Sequence, residues 1–283
     1  MTERLHPKKS LGQHFLRDDE VHEEILNLAG LTPEDRVLEI GAGDGTLTRS
    51  LGELAGRVIA VETDRRCLTL LRREFPEGGA VEVVEADILS FDFSSLEADA
   101  PLKVVAALPY NIATAVLDRL LGHGSLFPLM VLMFQKEVAL RLTAQAGSRT
   151  YGSLSLATQY RSEAELVRVI PPEAFFPRPK VESALLRLVP RQKSLLPPEE
   201  EKIFVRLVRD GFRHRRKTFL NSLSRAGGPF PAAEVADALA GLNLADKVRA
   251  EDITFGQFMD LARRLALRAG NRRGNAPDSG GDA

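Results

Sequence analysis

The stretch V-L-E-I-G-A-G-D-G-T-L-T, from Val37 to Thr48, decides the fold. An apolar run with one acid leads into three closely spaced glycines and then into helix-forming residues, a pattern that predicts a strand, a tight turn and a helix. The glycines leave no side chain where the backbone must approach a ligand. In open α/β sheets, ligands bind in this kind of crevice beyond the carboxyl end of a strand.

The glycine spacing distinguishes between cofactors. Gly41, Gly43 and Gly45 form G-x-G-x-G, whereas a nicotinamide enzyme with G-x-G-x-x-G would need its third glycine at Thr46. A second strand, predicted from Arg57 to Glu62, ends in an acid that can accept hydrogen bonds from ribose hydroxyls. Together with the acid at position 39, this loop resembles the S-adenosylmethionine (AdoMet) loop of Rossmann-like methyltransferases.

Composition sets the outer bounds. The chain has 283 residues, a formal net charge of -1 and 44% hydrophobic residues, so any surface for nucleic acid must be local. A single cysteine excludes an internal disulfide framework, and the five histidines have no metal-ligand spacing, so we expect no metal. The charged start and the short apolar runs predict a cytoplasmic protein without a membrane span.

The remaining pattern predicts two domains. An amphipathic helix from Asp18 to Ala29 and further strands place residues 1–190 in an α/β domain of the Rossmann-like type. A linker is expected at 191–200, a small all-α domain at 201–269 and a disordered tail at 270–283. The further strands are predicted at 80–88, 102–106, 126–134 and 184–189.

A basic cluster is expected at the start of the helical domain. Arg206, Arg209, Arg213 and Arg216 recur at helical spacing and would lie along one stripe, with Arg215 and Lys217 beside them. Such a stripe suits RNA phosphates. The alternative is an ordinary solvated charged face.

Several motifs in order resemble the small-subunit rRNA adenine N6,N6-dimethyltransferase family (KsgA/RsmA type). They are G-Q-H-F-L at 12–16, the glycine loop, A-L-P-Y-N at 107–111, Y-G-S-L-S at 151–155 and R-R-K-T at 215–218. The resemblance implies N6-dimethylation of two neighbouring adenines near the 3' end of 16S rRNA in the small ribosomal subunit, with AdoMet as the cofactor. We expect a monomer, and we expect the 151–155 segment to help to shape the target pocket.

The resemblance also implies a cofactor site beneath an amino-terminal lid. Asp87 would accept from the cofactor's adenine amino group, although an aspartate after a strand can equally form a local turn. The implied cofactor-binding positions are His14, Leu16, Gly41, Gly43, Glu62, Asp87, Ile88 and Ala107.

The target base would be held by Leu108, Pro109 and Tyr110. In the family this motif reads N-L-P-Y: the Asn side chain and the next carbonyl bind the adenine amine, and the Tyr ring stacks on the base. Here position 107 is Ala, so the side-chain acceptor is missing. The resemblance implies a second aromatic wall, for which Phe175 is favoured over Phe176, with core packing as the alternative.

Two other functions stay open. The first is a catalytically silent ribosome-assembly or RNA-binding factor, which only Ala107 favours. The second is a 23S rRNA adenine methyltransferase, which shares the motifs. The near-neutral charge and the R-R-K-T segment argue against that second function.

Overall fold

The structure, a computed structural model, describes residues 13–274. Its strands are β1 (Phe15–Leu16), β2 (Arg36–Ile40), β3 (Arg57–Glu62), β4 (Val81–Glu85), β5 (Lys103–Ala107), β6 (Met130–Gln135), β7 (Ser162–Ile170), β8 (Phe175–Phe176) and β9 (Ser183–Pro190). Its α-helices are α1 (Asp19–Ala29), α2 (Thr46–Leu54), α3 (Arg65–Glu74), α4 (Ala113–Gly122), α5 (Lys136–Leu142), α6 (Ser153–Arg161), α7 (Pro198–Gly211), α8 (Phe219–Arg225), α9 (Ala232–Ala240) and α10 (Phe255–Gly274).

Seven strands form one sheet in the order β4-β3-β2-β5-β6-β9-β7. The first five in this order are parallel, and β9 lies antiparallel between β6 and β7. Four successive residues of β2, from Val37 to Ile40, are buried. Since successive strand residues point to opposite faces, both faces of the sheet are covered, which explains the continuous apolar run. The predicted α/β Rossmann-like class is confirmed.

The order of the strands reverses beside β2. The chain runs outward from β2 to β3 and β4, then returns to place β5 on the other side of β2. The loop after β2, which holds the three glycines, and the loop after β5, residues 108–112, therefore leave the sheet side by side. This is the switch point at which open α/β sheets bind ligands.

The chain divides into two compact units. The first, the sheet unit, contains residues up to 143 and residues 161–192; the second, the helical unit, contains residues 144–160 and those from 193 onward. Residues 144–160, expected in the first domain, thus belong to the helical unit. Tyr151 explains this assignment: it is buried, its ring packs edge-on against Phe212, and its hydroxyl donates to the Ile253 carbonyl at 3.1 Å. Burial of the Tyr151 ring among residues of the helical unit therefore places its segment in that unit.

The predicted linker and tail also differ from the structure. Helix α7 begins at Pro198, inside the expected linker, and α10 continues to Gly274, so residues 270–274 of the expected disordered tail are helical. Positions 275–283 of that tail and the first twelve residues, which include Lys8 and Lys9, lie outside the described residues. Within residues 13–274, no helix has both the length and the apolar character needed to cross a bilayer.

Candidate active site

The glycine loop is a backbone cradle. Gly41, Gly43 and Gly45 have φ values of 77°, 59° and 80°, a region that other L-residues rarely adopt. A Cβ on Gly43 would lie 3.0 Å from the Phe15 ring, so the loop and the amino-terminal segment approach each other closely. The backbone conformation therefore favours glycine at all three positions, and at Gly43 the close approach of Phe15 adds a limit on space.

Glu62 at the end of β3 fixes this loop. Its buried carboxylate accepts the amide N–H of Gly43 at 2.9 Å, that of Thr63 at 2.7 Å and that of Asp64 at 2.8 Å. The Gly43 N–H binds Oε2, while the N–H groups of Thr63 and Asp64 both bind Oε1. Oε2 accepts only the Gly43 N–H, so it has a second lone pair with which it can accept a hydrogen bond from a ribose hydroxyl.

Glu39 is the least satisfied acid of the site. Its side chain is 2% exposed, and among residues 13–274 its Oε2 has no hydrogen-bond partner. Burial raises the pKa of Glu39 to about 8, and the charges of Glu62 and Asp44 add to this effect. A buried carboxylate oxygen without a partner beside a cavity fits a cationic ligand group, such as the ammonium of a methionine moiety.

Asp87 forms a local turn and also lines the cavity, so the turn role is observed and the cofactor role stays a prediction. Its Oδ1 accepts the N–H of Leu89 at 2.9 Å, which makes a local turn, and the residue is exposed on the wall of the cavity described below. Ile88 is buried beside it. The turn presents the aspartate to the cavity.

The segment after β5 forms the opposite wall. Ala107 is the last residue of β5, paired with Met133 of β6, and Leu108 is buried. The Tyr110 hydroxyl lies 2.6 Å from that of Ser183, at the start of β9. Burial raises the pKa of Tyr110, an effect that the Ser183 hydrogen bond partly offsets, so the phenol is protonated at neutral pH.

An amino-terminal segment that we call the arm, Gln13–Arg17, joins these parts. On the glycine-loop side, Gln13 donates to Asp64 at 2.9 Å and Arg17 pairs with Asp44 at 2.5 Å. On the other side, the His14 ring stacks on Tyr110, with centroids 5.8 Å apart, and its Nδ1 lies 2.6 Å from the carbonyl oxygen of Pro177.

Strand β1 of the arm pairs with β8, and this pairing places the two phenylalanines in different surroundings. Leu16 pairs with Phe175 and Phe15 with Phe176. Phe175 is 5% exposed and lines the cavity, whereas Phe176 is 59% exposed. Alternation along a strand turns one aromatic inward and the other outward. The preference for Phe175 agrees with this geometry.

One cavity of about 360 Å³ collects all these parts. Its volume is typical of a small-molecule site. Every predicted cofactor-binding residue and every predicted catalytic residue lines it: His14, Leu16, Gly41, Gly43, Glu62, Asp87, Ile88, Ala107, Leu108, Pro109, Tyr110 and Phe175. Within the described part of the chain, no three His, Cys, Asp or Glu side chains are arranged to hold a metal ion.

Sequence reasoning missed the groups that hold these residues in place. Ser183 orients Tyr110, Asp64 anchors the arm, and Arg119 binds the loop after β4. Each lies far along the chain from its partner and belongs to no local pattern, so the sequence alone contained no signal for these contacts.

The basic cluster in the helical unit needs a correction. Helix α7 ends at Gly211 and a 3-10 turn follows, so the four arginines predicted on one stripe do not lie along one helix. Arg206 and Arg209 bind the buried Asp210 carboxylate at 3.4 and 2.9 Å. Although burial alone would raise it, these hydrogen bonds hold the pKa of Asp210 below its usual value.

The other four cations are exposed, and three of them have no ion-pair partner among residues 13–274. Arg215 donates to the Arg149 carbonyl at 3.1 Å and lies 3.6 Å from Glu251. The other three are Arg213, Arg216 and Lys217. The helical unit contains 17 basic and 12 acidic residues, against 21 and 27 in the sheet unit, so positive charge is concentrated in the helical unit.

Known proteins resemble the chain over nearly its whole length. The profile of the family described as ribosomal RNA adenine dimethylase matches residues 4–267. Ribosomal RNA small subunit methyltransferase A of Magnetococcus marinus is 44% identical over 260 residues, 91% of both chains. The protein of the same name from Alkaliphilus metalliredigens is 38% identical over 264 residues, 92% of both chains.

Two solved structures share the fold over similar lengths. A dimethyladenosine transferase from Plasmodium falciparum has a TM-score of 0.76 and 28% identity, covering 92% of this chain and 98% of its own. The 23S rRNA methyltransferase ErmE has a TM-score of 0.73 and 29% identity, covering 89% and 99%. Cavity, motifs and profile agree, and the chain belongs to the ribosomal RNA adenine dimethylase family.

Proposed function

We propose that this chain transfers methyl groups from AdoMet to N6 of two neighbouring adenines near the 3' end of 16S rRNA, in the small ribosomal subunit. It acts as a cytoplasmic monomer. The observation that carries the proposal is the convergence of both predicted residue sets on one cavity at the switch point of the sheet. The two bacterial relatives are both small subunit methyltransferases by name, which supports the small subunit as the substrate.

The glycine-loop half of the cavity would hold the cofactor. Glu39 would face the ammonium, Glu62 the ribose, and Asp87 with Ile88 the adenine. The backbone cradle of Gly41 and Gly43 would let the cofactor lie against main-chain atoms. AdoMet supplies an electrophilic methyl group on a sulfonium sulfur when bound.

The other half would hold the target base. The lone pair of an exocyclic adenine amine is delocalised into its ring, so the amine is a poor nucleophile. The Leu108 carbonyl would accept one N6 hydrogen, while Tyr110 and Phe175 would hold the ring plane. These groups direct the lone pair toward the methyl group, and catalysis consists of positioning and electrostatics.

Ala107 limits this arrangement. The family motif places an amide acceptor at this position, and Ala has none. Loss of one preorganised hydrogen-bonding group at such a site costs on the order of 10²- to 10³-fold in rate. Asn111 also borders the cavity, but the family carries a polar residue there as well, so we assign it no substitute role. This chain is therefore an impaired dimethyltransferase.

RNA contact is assigned to the exposed cations of the helical unit. Arg213, Arg216 and Lys217 would bind phosphates directly, with Arg215 beside them. Arg206 and Arg209, although predicted as RNA contacts, have a structural role at Asp210 that competes with phosphate binding.

The test is transfer of labelled methyl from AdoMet to small-subunit particles that lack the adenine methylation. We expect slow incorporation that ends with two methyl groups on each of two adenines. Binding of AdoMet and of particles without incorporation would instead support the second candidate, a silent assembly factor, which Ala107 favours. Methylation of naked 23S rRNA but not of particles would contradict the proposed substrate, and the likeness to ErmE makes that control necessary.

A further inference from the structure

We propose that Arg119 is a positioning residue for the loop that follows β4, residues 86–91. Arg119 lies on α4, and its guanidinium donates through Nη1 to the carbonyl of Ile88 and through Nη2 to that of Phe91 at 2.5 Å. A planar fork that binds two carbonyls three residues apart fixes their separation and direction together. Asp87 and Ile88, which line the cavity, lie within or beside this span.

The guanidinium is itself held in place. It lies over the ring of Phe93, 5.0 Å from the centroid, and Phe93 is buried and packs edge-on against Phe127. Within residues 13–274, no carboxylate forms an ion pair with Arg119. The hydrogen bonds of its guanidinium are thus directed at the loop carbonyls rather than at an acid, which points to a role in holding the loop.

The loop depends on this external contact. Its internal hydrogen bonds are short-range: the N–H of Leu89 binds Asp87 Oδ1 at 2.9 Å, and the N–H of Ser90 binds the Asp87 carbonyl at 3.0 Å. At the start of the loop, the N–H of Ala86 also binds the Glu62 carbonyl at 3.1 Å. These bonds define the turn and its junction with the sheet, but they do not connect the segment from Ile88 to Phe91 to another element. Arg119 ties it to α4, which begins at Ala113 directly after the loop that carries Tyr110. One helix thereby supports both halves of the cavity.

The inference rests on the proposed placement of the cofactor adenine at Asp87 and Ile88. The test measures the AdoMet Kd of the full chain by calorimetry for wild type, Arg119→Met and Arg119→Lys. Methionine keeps much of the apolar stem and removes the fork. Arg36→Met is the matched control, because Arg36 also donates to a backbone carbonyl, that of Asp99 at 3.1 Å, but does not line the cavity.

We expect Arg119→Met to raise the AdoMet Kd about tenfold, with the RNA Kd and the kcat at saturating AdoMet almost unchanged. Lysine should restore part of the affinity, since it donates without the fork geometry. Amide hydrogen exchange of the cofactor-free protein should accelerate at Ile88 to Phe91 in the methionine variant. The Arg36 variant should bind AdoMet as wild type does.

An AdoMet Kd within about twofold of wild type in Arg119→Met, or an equal effect of Arg36→Met, overturns the inference. If Arg119→Met does not fold, an Arg119→Lys variant with wild-type affinity and exchange also overturns it. Asp87→Ala separates the two levels. If AdoMet binding is weaker in Asp87→Ala but unchanged in Arg119→Met, only the positioning role is refuted. Unchanged binding in Asp87→Ala refutes the proposed placement of the cofactor.

Discussion

The hydroxyl oxygens of Tyr110 and Ser183 lie 2.6 Å apart, although 73 residues separate them along the chain. This bond fixes the ring that would stack on the target base, because it anchors the only polar atom of the side chain. A second contact restricts the same ring, because the His14 ring stacks on it. The orientation of Tyr110 is therefore set by the arm and by β9 together.

If the hydroxyl serves only to orient the ring, Tyr110→Phe and Ser183→Ala should have equal effects. We expect each to lower kcat/KM about fivefold, the value of one net hydrogen bond, and the double variant to be no worse than either. Methyl-transfer kinetics on particles measure this. Additive losses would mean that the two hydroxyls act independently.

The second prediction concerns Ala107. Replacement by Asn should raise kcat by up to about 10², because it restores the amide acceptor for the target amine. AdoMet affinity, measured by calorimetry in the same preparation, is the control for an intact cofactor site. A variant that binds AdoMet normally and gains no rate would show that the missing amide does not limit this chain.

The third prediction concerns pH and follows from Glu39. Its pKa is raised from 4.5 to about 8 in the folded protein, so the folded state binds a proton that the unfolded state has lost between these values. The free energy of unfolding therefore falls as pH rises from about 4.5 to 8. Glu39→Gln should remove this slope in denaturation curves. A slope that persists in the glutamine variant must come from another group.

The same group should make AdoMet binding depend on pH. An ammonium beside Glu39 favours the ionised carboxylate, so binding should release a proton below pH 8 and tighten as pH rises toward 8. Calorimetry in buffers of different ionisation enthalpy counts that proton. Glu39→Gln should bind more weakly at pH 8 and release no proton.

The fourth prediction separates the cations of the helical unit. Reversing Arg213 and Arg216 to Glu should weaken RNA binding and flatten its dependence on salt, since each phosphate contact adds nearly one unit to the slope. Arg206→Gln should instead lower stability by about 1–2 kcal/mol, because it removes a partner of the buried Asp210. Filter binding across a salt series and thermal unfolding distinguish the two effects.

The sheet could be predicted where apolar runs end in turns. The strand at Arg57–Glu62 was predicted with its observed bounds. The strand predicted at 80–88 was four residues too long, one at its start and three at its end, because the turn at Asp87 begins earlier. Strand β7, Ser162–Ile170, was not predicted. It follows α6 without a glycine or proline break, and its mixed acidic and apolar pattern favours a helix as much as a strand.

The site could be predicted where motifs are local. The glycine loop, the segment from Leu108 to Tyr110 and Phe175 are short patterns whose residues fix their own geometry. The two-residue pairing of β1 with β8 and the bonds of Arg119 connect positions far apart in the chain, and neither leaves periodicity to detect. The basic stripe failed for a related reason: the helix ended at Gly211, and a buried acid bound two of its members.

The arm bears on how many methyl groups are added in one encounter. Dimethylation of an amine consumes two cofactor molecules in succession, so the spent one must leave before the second transfer. The arm that binds Asp44 and Asp64 on one side also stacks on Tyr110 and pairs with Phe175 on the other. Exchange of cofactor through an opened arm would loosen the aromatic walls around the base. We therefore expect distributive methylation, with monomethyladenine accumulating early in a time course and no burst of dimethyladenine.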